Sequence, residues 1–297
     1  MDAVIPYVNS DDPLWQADYE RFAGEPFLAK RFRDWGTLQY LFRGIEKNMP
    51  FIDRVFLVVA RESQVPEWLD TSKVRVICHR DFIPRKYLPA FSSSLIEMFI
   101  HTIPGLGEKF IYMNDDIFPV RKIREEDLFP GGKPAKKMSS HIFAFGDFRH
   151  LCKDSCTLAR RAAGLWPSPI YVRPQHCVTP FLKSACEEAY NACEKEILST
   201  LSPLRKRGNF NQYFFSDYMY FKGLAVSRRI SNKHFSLAVA GNSEIVSFLK
   251  APARDFVCIN DVRMSEDRYN ETRQCILEAF EGLLGTRSGF ELCGALD

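Results

Sequence analysis

The chain has 297 residues, 46% of them hydrophobic and 26% charged, with a formal net charge of +3. That is enough apolar material for one large core or two small ones. It also excludes the strongly basic balance of a nucleic-acid-binding domain.

Residues 2 to 9, DAVIPYVN, begin with an acid and read as a strand rather than a secretory signal. No apolar run approaches the roughly 20 residues of a membrane helix. The expectation is a cytoplasmic chain with at most peripheral contact with the inner face of the membrane. A polar turn, Asn9, Ser10, Asp11, Asp12 and Pro13, follows the first strand. Arg31, Phe32, Arg33 and Asp34 then open a segment, 36–48, with Leu38, Leu41, Phe42 and Ile45 at helical spacing. VFLVVA at 55–60 and VRVIC at 74–78 read as buried strands, and SSSLIEMFIHT at 92–102 as a serine-capped helix. A third buried strand, FIYM at 110–113, runs directly into Asn114-Asp115-Asp116. The stretch 130–137, PGGKPAKK, is the clearest internal break and reads as a mobile loop. Helices are expected over 179–198, 210–222 and 266–284, with a last short strand at 257–259. Strands alternating with helices predict an α/β fold, Rossmann-like, with a mostly parallel central sheet flanked by helices and a helical C-terminal part.

Phenylalanine is abundant at 25 residues, which we read as core filling, with ring stacking a secondary use. The nine cysteines lack paired zinc spacing, so reduced and mostly buried thiols are expected.

The sharpest local signal is Asn114-Asp115-Asp116. Two adjacent acids after a buried strand suit a divalent cation, because hard cations take oxygen ligands and Mg²⁺ usually combines one or two carboxylates with substrate phosphates. The competing reading is an Asx turn. Asn9 to Asp12 is, alone, more often a turn or helix cap. Arg31 and Arg33 suit phosphate by fork geometry, or they flank a helix start with Asp34 as its N-cap. His176, in a Pro-bounded loop, has the ring chemistry of a general base near neutral pH, although a lone histidine is more often structural. Arg205, Lys206 and Arg207 form a basic triplet that neutralises a phosphate or lies exposed. No phosphate-binding P-loop, dinucleotide glycine fingerprint or nucleophile elbow is present. From the residues alone, the reading stops at an α/β protein with an acidic strand-end site suited to metal and phosphate.

At these same residues the sequence resembles the Stealth family of hexose-1-phosphate transferases. Four blocks carry the likeness, in order. The first is DAVIPYVNSDDPLW at 2–15. The second spans 31–120 and includes RFRDWGTLQYLFRGIEKNMPFI, VPEWLD, LPAFSSSLIE and FIYMNDDIF. The third holds Gln175-His176, Pro180 and SPLRKRGNFNQYFF. The fourth is VCIND at 257–261 with SGFE at 288–291. Ser10 departs from the family's glycine. Asn209 departs from an aspartate expected four residues after Arg205.

The resemblance implies a single catalytic domain over 1–297, glycosyltransferase-like in fold. Residues 1–129 would form a nucleotide-sugar-binding α/β half, and 138–297 a mainly helical half. It implies transfer of a hexose-1-phosphate, GlcNAc-1-phosphate or similar, from a UDP-sugar to the hydroxyl of an oligosaccharide or glycolipid acceptor. UMP is released, and the reaction serves capsule or exopolysaccharide synthesis. The expected cofactor is Mg²⁺ or Mn²⁺, held by Asp115, Asp116, Asn260 and Asp261. Asp115, Asp116, His176 and Arg205 are the expected catalytic groups. Val8, Asn9, Asp11, Asp12, Arg31, Arg33, Asp34, Ser93, Asn114, Asn209 and Gln212 are expected to bind substrate. The rival readings are a metal-dependent glycosyltransferase, which releases UDP, and a carbohydrate-binding module without turnover.

Overall fold

The computed structural model describes residues 1–24, 33–204 and 206–293. In chain order the elements are β1 (Asp2–Pro6), α1 (Pro13–Ala23), α2 (Leu38–Asn48), β2 (Arg54–Val59), β3 (Val74–Cys78), α3 (Ser93–Phe99) and β4 (Lys109–Tyr112). Next come β5 (Ile117–Pro119), α4 (Glu125–Leu128), β6 (Met138–His141), α5 (Asp147–Ala162), β7 (Tyr171–Pro174), β8 (Thr179–Leu182), α6 (Lys183–Ala192) and α7 (Glu194–Thr200). The last are α8 (Tyr213–Phe221), β9 (Asn232–Ser236), α9 (Asn242–Lys250), β10 (Phe256–Asn260) and α10 (Glu266–Leu284). The architecture is mixed α/β, a mostly parallel central sheet flanked by helices, with strand order β3-β2-β1-β4-β8. β8 runs antiparallel to β4, with Lys109 opposite Leu182 and Tyr112 opposite Thr179. No helix among the described residues is long and apolar enough to cross a membrane.

The chain forms two compact units. The first comprises residues 1–2, 77–112 and 126–230; the second comprises 3–76, 113–125 and 231–297.

In the second unit, β2 reads RVFLVV and is buried from Val55 onward, as a strand covered on both faces must be. Met113, just past β4, donates to the Val4 carbonyl at 3.0 Å, and Tyr7 donates to Val58 at 2.9 Å. A smaller sheet has the order β5-β10-β9. Its middle strand is parallel to β9 and antiparallel to β5. Gly44 lets α2 lie against β5, because a Cβ there would meet the Pro119 carbonyl oxygen at 2.6 Å. α10 starts at Ser265, whose hydroxyl accepts from the Arg268 amide, and carries Glu266 and Asp267 in its first turn, where the helix dipole favours negative charge. Phe280 of α10 packs on Phe118 and Tyr40, with ring centroids 4.5 and 5.4 Å apart.

The core of the first unit is α8, sequence YFFSDYMYF, buried on nearly every side from Tyr213 to Met219. A helix that is apolar all round belongs inside a protein. β6 and β7 form an antiparallel pair with His141 opposite Tyr171. Cys152, Cys156, Tyr171, Val172 and Tyr213 make a buried cluster beside them.

Several expectations differ from the structure. The 130–137 segment is not a mobile loop. Ala135 and Lys136 are buried, Ala135 bridges Val226, and Lys136 donates its amide to the Val226 carbonyl at 2.9 Å. Residues 179–182, expected to open a helix, are the edge strand β8, and the helical stretch behind them breaks at Cys193 into α6 and α7. The segment after Ser92 is α3 followed by a single 3₁₀ turn, and the Ser92 hydroxyl makes no capping bond. Asp34 is not an N-cap: α2 begins after Thr37. The cysteines are all free thiols, seven of them buried.

Candidate functional site

The second unit gathers acids where its strands end. β1 leads to Tyr7, whose buried hydroxyl donates to Asp34 Oδ2 at 3.5 Å. Asp34 itself sits in an Asx turn before α2, accepting the Gly36 amide at 2.8 Å, while the Tyr269 hydroxyl donates to its carbonyl at 2.5 Å. The chain beyond β4 turns at Asn114, whose carbonyl accepts from Ile117 at 3.1 Å, and places Asp115 and Asp116 in that turn. The Asp116 carbonyl accepts the Ile259 amide at 3.0 Å, and its Oδ2 accepts from the Cys258 thiol at 3.5 Å. That pairing ties the acidic turn to β10, which ends in Asn260 and is followed by Asp261.

These carboxyls act on one another's ionisation. The Asp115 carboxyl is pushed up to about 7, first by its deep placement among protein atoms and then by the charges of Asp116 and Asp34. Asp115 keeps open surface, so the two neighbouring carboxylates are the firmer cause. Asp261 is also raised, chiefly by burial, with Asp116 adding to it. Tyr7 is raised by burial, by Asp34 and by Asp115. Crowded carboxylates raise one another's pKa because like charges disfavour ionisation. A divalent cation reverses that penalty, and an all-oxygen donor set of this kind is what Mg²⁺ or Mn²⁺ takes. Among the described residues, however, Asp115, Asp116 and Asp261 do not form a group of three whose ligand atoms lie within 4.8 Å of one another.

Other expected residues of this unit do structural work. Asp12 caps α1, accepting the Leu14 amide at 3.0 Å and the Ser63 hydroxyl at 2.7 Å. Asn9 accepts the Asp11 amide at 3.0 Å, and its carbonyl accepts from the buried Gln64 at 3.3 Å. Asp11 stays exposed and Val8 half-buried. Arg33 donates to Glu266 Oε2 at 2.6 Å and to the Met264 carbonyl at 3.3 Å, with its guanidinium 4.5 Å from the Tyr269 ring centre. Arg31 lies outside the described residues.

The first unit holds the remaining expected residues. His176 Nδ1 lies 3.4 Å from the Tyr213 hydroxyl at the start of α8. Gln212, the residue before that helix, is buried, and its amide donates to Glu97 Oε2 at 3.0 Å. Glu97 also accepts from Tyr112 at 3.3 Å. Ser93 is the first residue of α3. Asn209 is buried; its Oδ1 accepts the Lys206 amide at 2.7 Å and its Nδ2 donates to the Thr200 carbonyl. The second bond explains the departure from aspartate, since a carboxylate has no donor for that carbonyl. Arg205 lies outside the described residues. Sequence reasoning did not single out Tyr7, Glu97, Tyr213 or Cys258. Each is an apolar-context residue whose polar atom matters only once distant segments pair.

The sequence from 31 to 137 matches Stealth protein CR2, conserved region 2. The capsular polysaccharide phosphotransferase WcwK of Streptococcus pneumoniae is 28% identical over an alignment covering 98% of both chains. The capsular polysaccharide phosphotransferase cps1A of Actinobacillus pleuropneumoniae is 32% identical over 77% of this chain and 67% of its own. Among solved structures, the galactosyltransferase LgtC, in complex with donor and acceptor sugar analogs, aligns over 92% of this chain and 95% of its own, with a TM-score of 0.40 and 10% identity. The CR2 match contains both Asp34 and the Asp115-Asp116 pair, and the chain belongs to the Stealth family of sugar-phosphate transferases.

Proposed function

We propose that the enzyme moves a hexose-1-phosphate, GlcNAc-1-phosphate or similar, from a UDP-sugar to the hydroxyl of an oligosaccharide or glycolipid acceptor, in capsule or exopolysaccharide synthesis. The observation that supports this reading is that Asp115 and Asp116 in the turn after β4, Asp34 before α2 and Asp261 just past β10 act on one another's ionisation. In family relatives named for capsular polysaccharide phosphotransfer the same class of reaction is implied.

In the proposed reaction the acceptor oxygen forms a bond to the phosphorus next to the sugar. The bond from that phosphorus to the bridging oxygen breaks, and UMP leaves with the electron pair. The acceptor proton passes to a base. His176 is proposed as that base or as a phosphate contact, with Tyr213 holding its ring. Asp115, Asp116, Asn260 and Asp261 would hold Mg²⁺ or Mn²⁺, which supplies charge neutralisation at the phosphoryl oxygens. Asp34 and Arg33 shape the donor side, and the turn from Val8 to Asp12 carries the nucleotide. Arg205 stabilises phosphoryl charge in this scheme. Positioning and electrostatic stabilisation supply most of the barrier reduction in phosphoryl transfer. The compartment proposed is the cytoplasm, at the inner face of the membrane.

The test is incubation with a panel of UDP-hexoses, Mg²⁺ and capsular oligosaccharides, followed by identification of the released nucleotide. Metal-dependent UMP release with a phosphodiester product is expected. UDP release would overturn the proposal in favour of ordinary glycosyl transfer.

A further inference from the structure

Seven large apolar side chains of the first unit stand open to solvent in two segments, 142–148 and 165–170: Ile142, Phe143, Phe145, Phe148, Leu165, Trp166 and Ile170. Trp166 is 89% exposed, Phe145 75% and Phe143 69%. Single exposed apolar residues need no explanation, but a concentration of this size does. The two segments are neighbours in space. His141 pairs with Tyr171 at the end of the β6–β7 ladder, so Ile142 and Ile170 leave it side by side.

This is a built surface. The Tyr171 hydroxyl donates to the Phe143 carbonyl at 3.2 Å, and the rings of Phe143 and Phe145 lie 6.2 Å apart. Ala144, between them, packs on the buried cluster of Cys152, Cys156, Tyr171, Val172 and Tyr213. Arg160 donates to the Trp166 carbonyl at 3.4 Å, fixing the second segment to the end of α5. The backbone is thus anchored while the aromatic side chains face outward.

The stretch of sequence that carries the patch has an excess of positive charge. Between 141 and 173 stand Arg149, Lys153, Arg160, Arg161 and Arg173 against two acids, Asp147 and Asp154. Arg161 is engaged by Glu196 at 2.6 Å, and Asp147 lies 4.0 Å from Arg207. Arg160 lies over the Phe221 ring at 4.7 Å, and exposed aromatic and aliphatic side chains in a stretch with an excess of basic residues match the chemistry of an anionic bilayer surface. Trp and Phe enter the headgroup boundary while Lys and Arg meet lipid phosphates.

We infer that the face formed by Ile142–Phe148 and Leu165–Ile170 docks the protein peripherally on an anionic lipid surface. The inference does not rest on the reaction proposed above. It assigns peripheral contact to this face.

The test is co-sedimentation with vesicles of phosphatidylcholine alone and of phosphatidylcholine with phosphatidylglycerol, comparing the wild type with the triple variant Phe143→Ser, Phe145→Ser and Trp166→Ser. Wild type is expected to bind the anionic vesicles, to release largely at about 1 M salt, where screening is short-ranged, and to bind neutral vesicles weakly. The triple variant should lose about tenfold or more of its partitioning with an unchanged circular dichroism spectrum and melting temperature. Equal binding by wild type and variant would overturn the inference, as would wild type that ignores anionic vesicles. A concentration-dependent dimer abolished by the triple substitution, without vesicle binding, would reassign the face to a second copy. Loss of oligosaccharide binding alone would reassign it to carbohydrate.

Discussion

Arg43 of α2 and Glu291 meet as a two-pronged ion pair, Nε to Oε1 and Nη2 to Oε2 each at 2.9 Å, across 248 residues of sequence. Both side chains are buried. Arg43 also donates to the carbonyls of Leu284 and Gly285, closing the end of α10, and Glu291 accepts the Ser288 amide at 2.8 Å. The SGFE block of the family resemblance therefore builds the fold of the second unit.

Removing one partner of that pair strands the other charge inside the protein. Glu291→Ala is expected to destabilise the enzyme by about 3–5 kcal/mol. Replacing both partners with apolar side chains, Arg43→Met with Glu291→Leu, should be markedly milder than either single change. Urea unfolding of the three variants measures this, and additive losses would contradict the pair's isolation from water.

The carboxylate cluster makes a different prediction. Asp115→Asn and Asp116→Asn should each lower transfer by about 10²- to 10³-fold, the usual loss for one well-placed electrostatic group. Without metal, both variants should melt at or above the wild-type temperature, because each removes like-charge repulsion. Mg²⁺ or Mn²⁺ should raise the melting temperature of wild type and leave both variants unmoved. Differential scanning fluorimetry with a metal titration distinguishes loss of the ion from loss of the fold.

Two buried histidines are expected to make the fold less stable in acid. Burial pushes His79 down to about 3 and His101 down to about 4, the latter helped by Lys183. Their folded-state values lie below the unfolded value of 6.5, so the unfolded chain binds more protons. Stability is fully present above pH 6.5 and is lost as pH falls through 6.5 toward 4. His101 packs against Tyr190 and Phe215, with centroids 4.9 and 5.6 Å apart. His101→Phe should therefore flatten the acid limb of a stability–pH curve, by up to about 3 kcal/mol near pH 4. An unchanged acid limb would exclude His101 as a source.

Asn209 gives a conservative test. Asn209→Asp keeps the acceptor for Lys206 but sets a carboxylate against the Thr200 carbonyl. A loss of about 1–3 kcal/mol is expected, where a site that required aspartate would instead gain activity. Chemical denaturation and a transfer assay on the one variant decide between them.

Much of the framework was legible in the sequence. The 74–78 strand and the 266–284 helix appear with the expected bounds, because a Val- and Ile-rich run interrupted by the exposed Arg75 and a capped amphipathic helix are local signals. Asp115 and Asp116 stood out because acids directly after a buried strand are locally anomalous. Short polar strands such as MSSH and NKHFS carried no alternation to read, and α5 opens after a glycine with no capping side chain. Lys136 misled the reading of 130–137: a lysine in a Gly/Pro-rich stretch signals solvent, yet its ammonium donates to Ser216 at 3.1 Å and lies 4.0 Å from the Phe181 ring centre. Tyr7 could not be linked to Asp34 because their encounter depends on tertiary register.

The second unit is assembled from three stretches, 3–76, 113–125 and 231–297, with the whole of 126–230 translated in between. Asp34 and Asp115 thus leave the ribosome well before Asp261, and Arg43 waits for Glu291 throughout. At about 5–20 residues per second the delay between Arg43 and Glu291 is roughly 12–50 seconds. During that time the nascent acidic segments have neither their β10 partner nor their buried clamp, so the protein acquires a complete carboxylate cluster only late in its own synthesis.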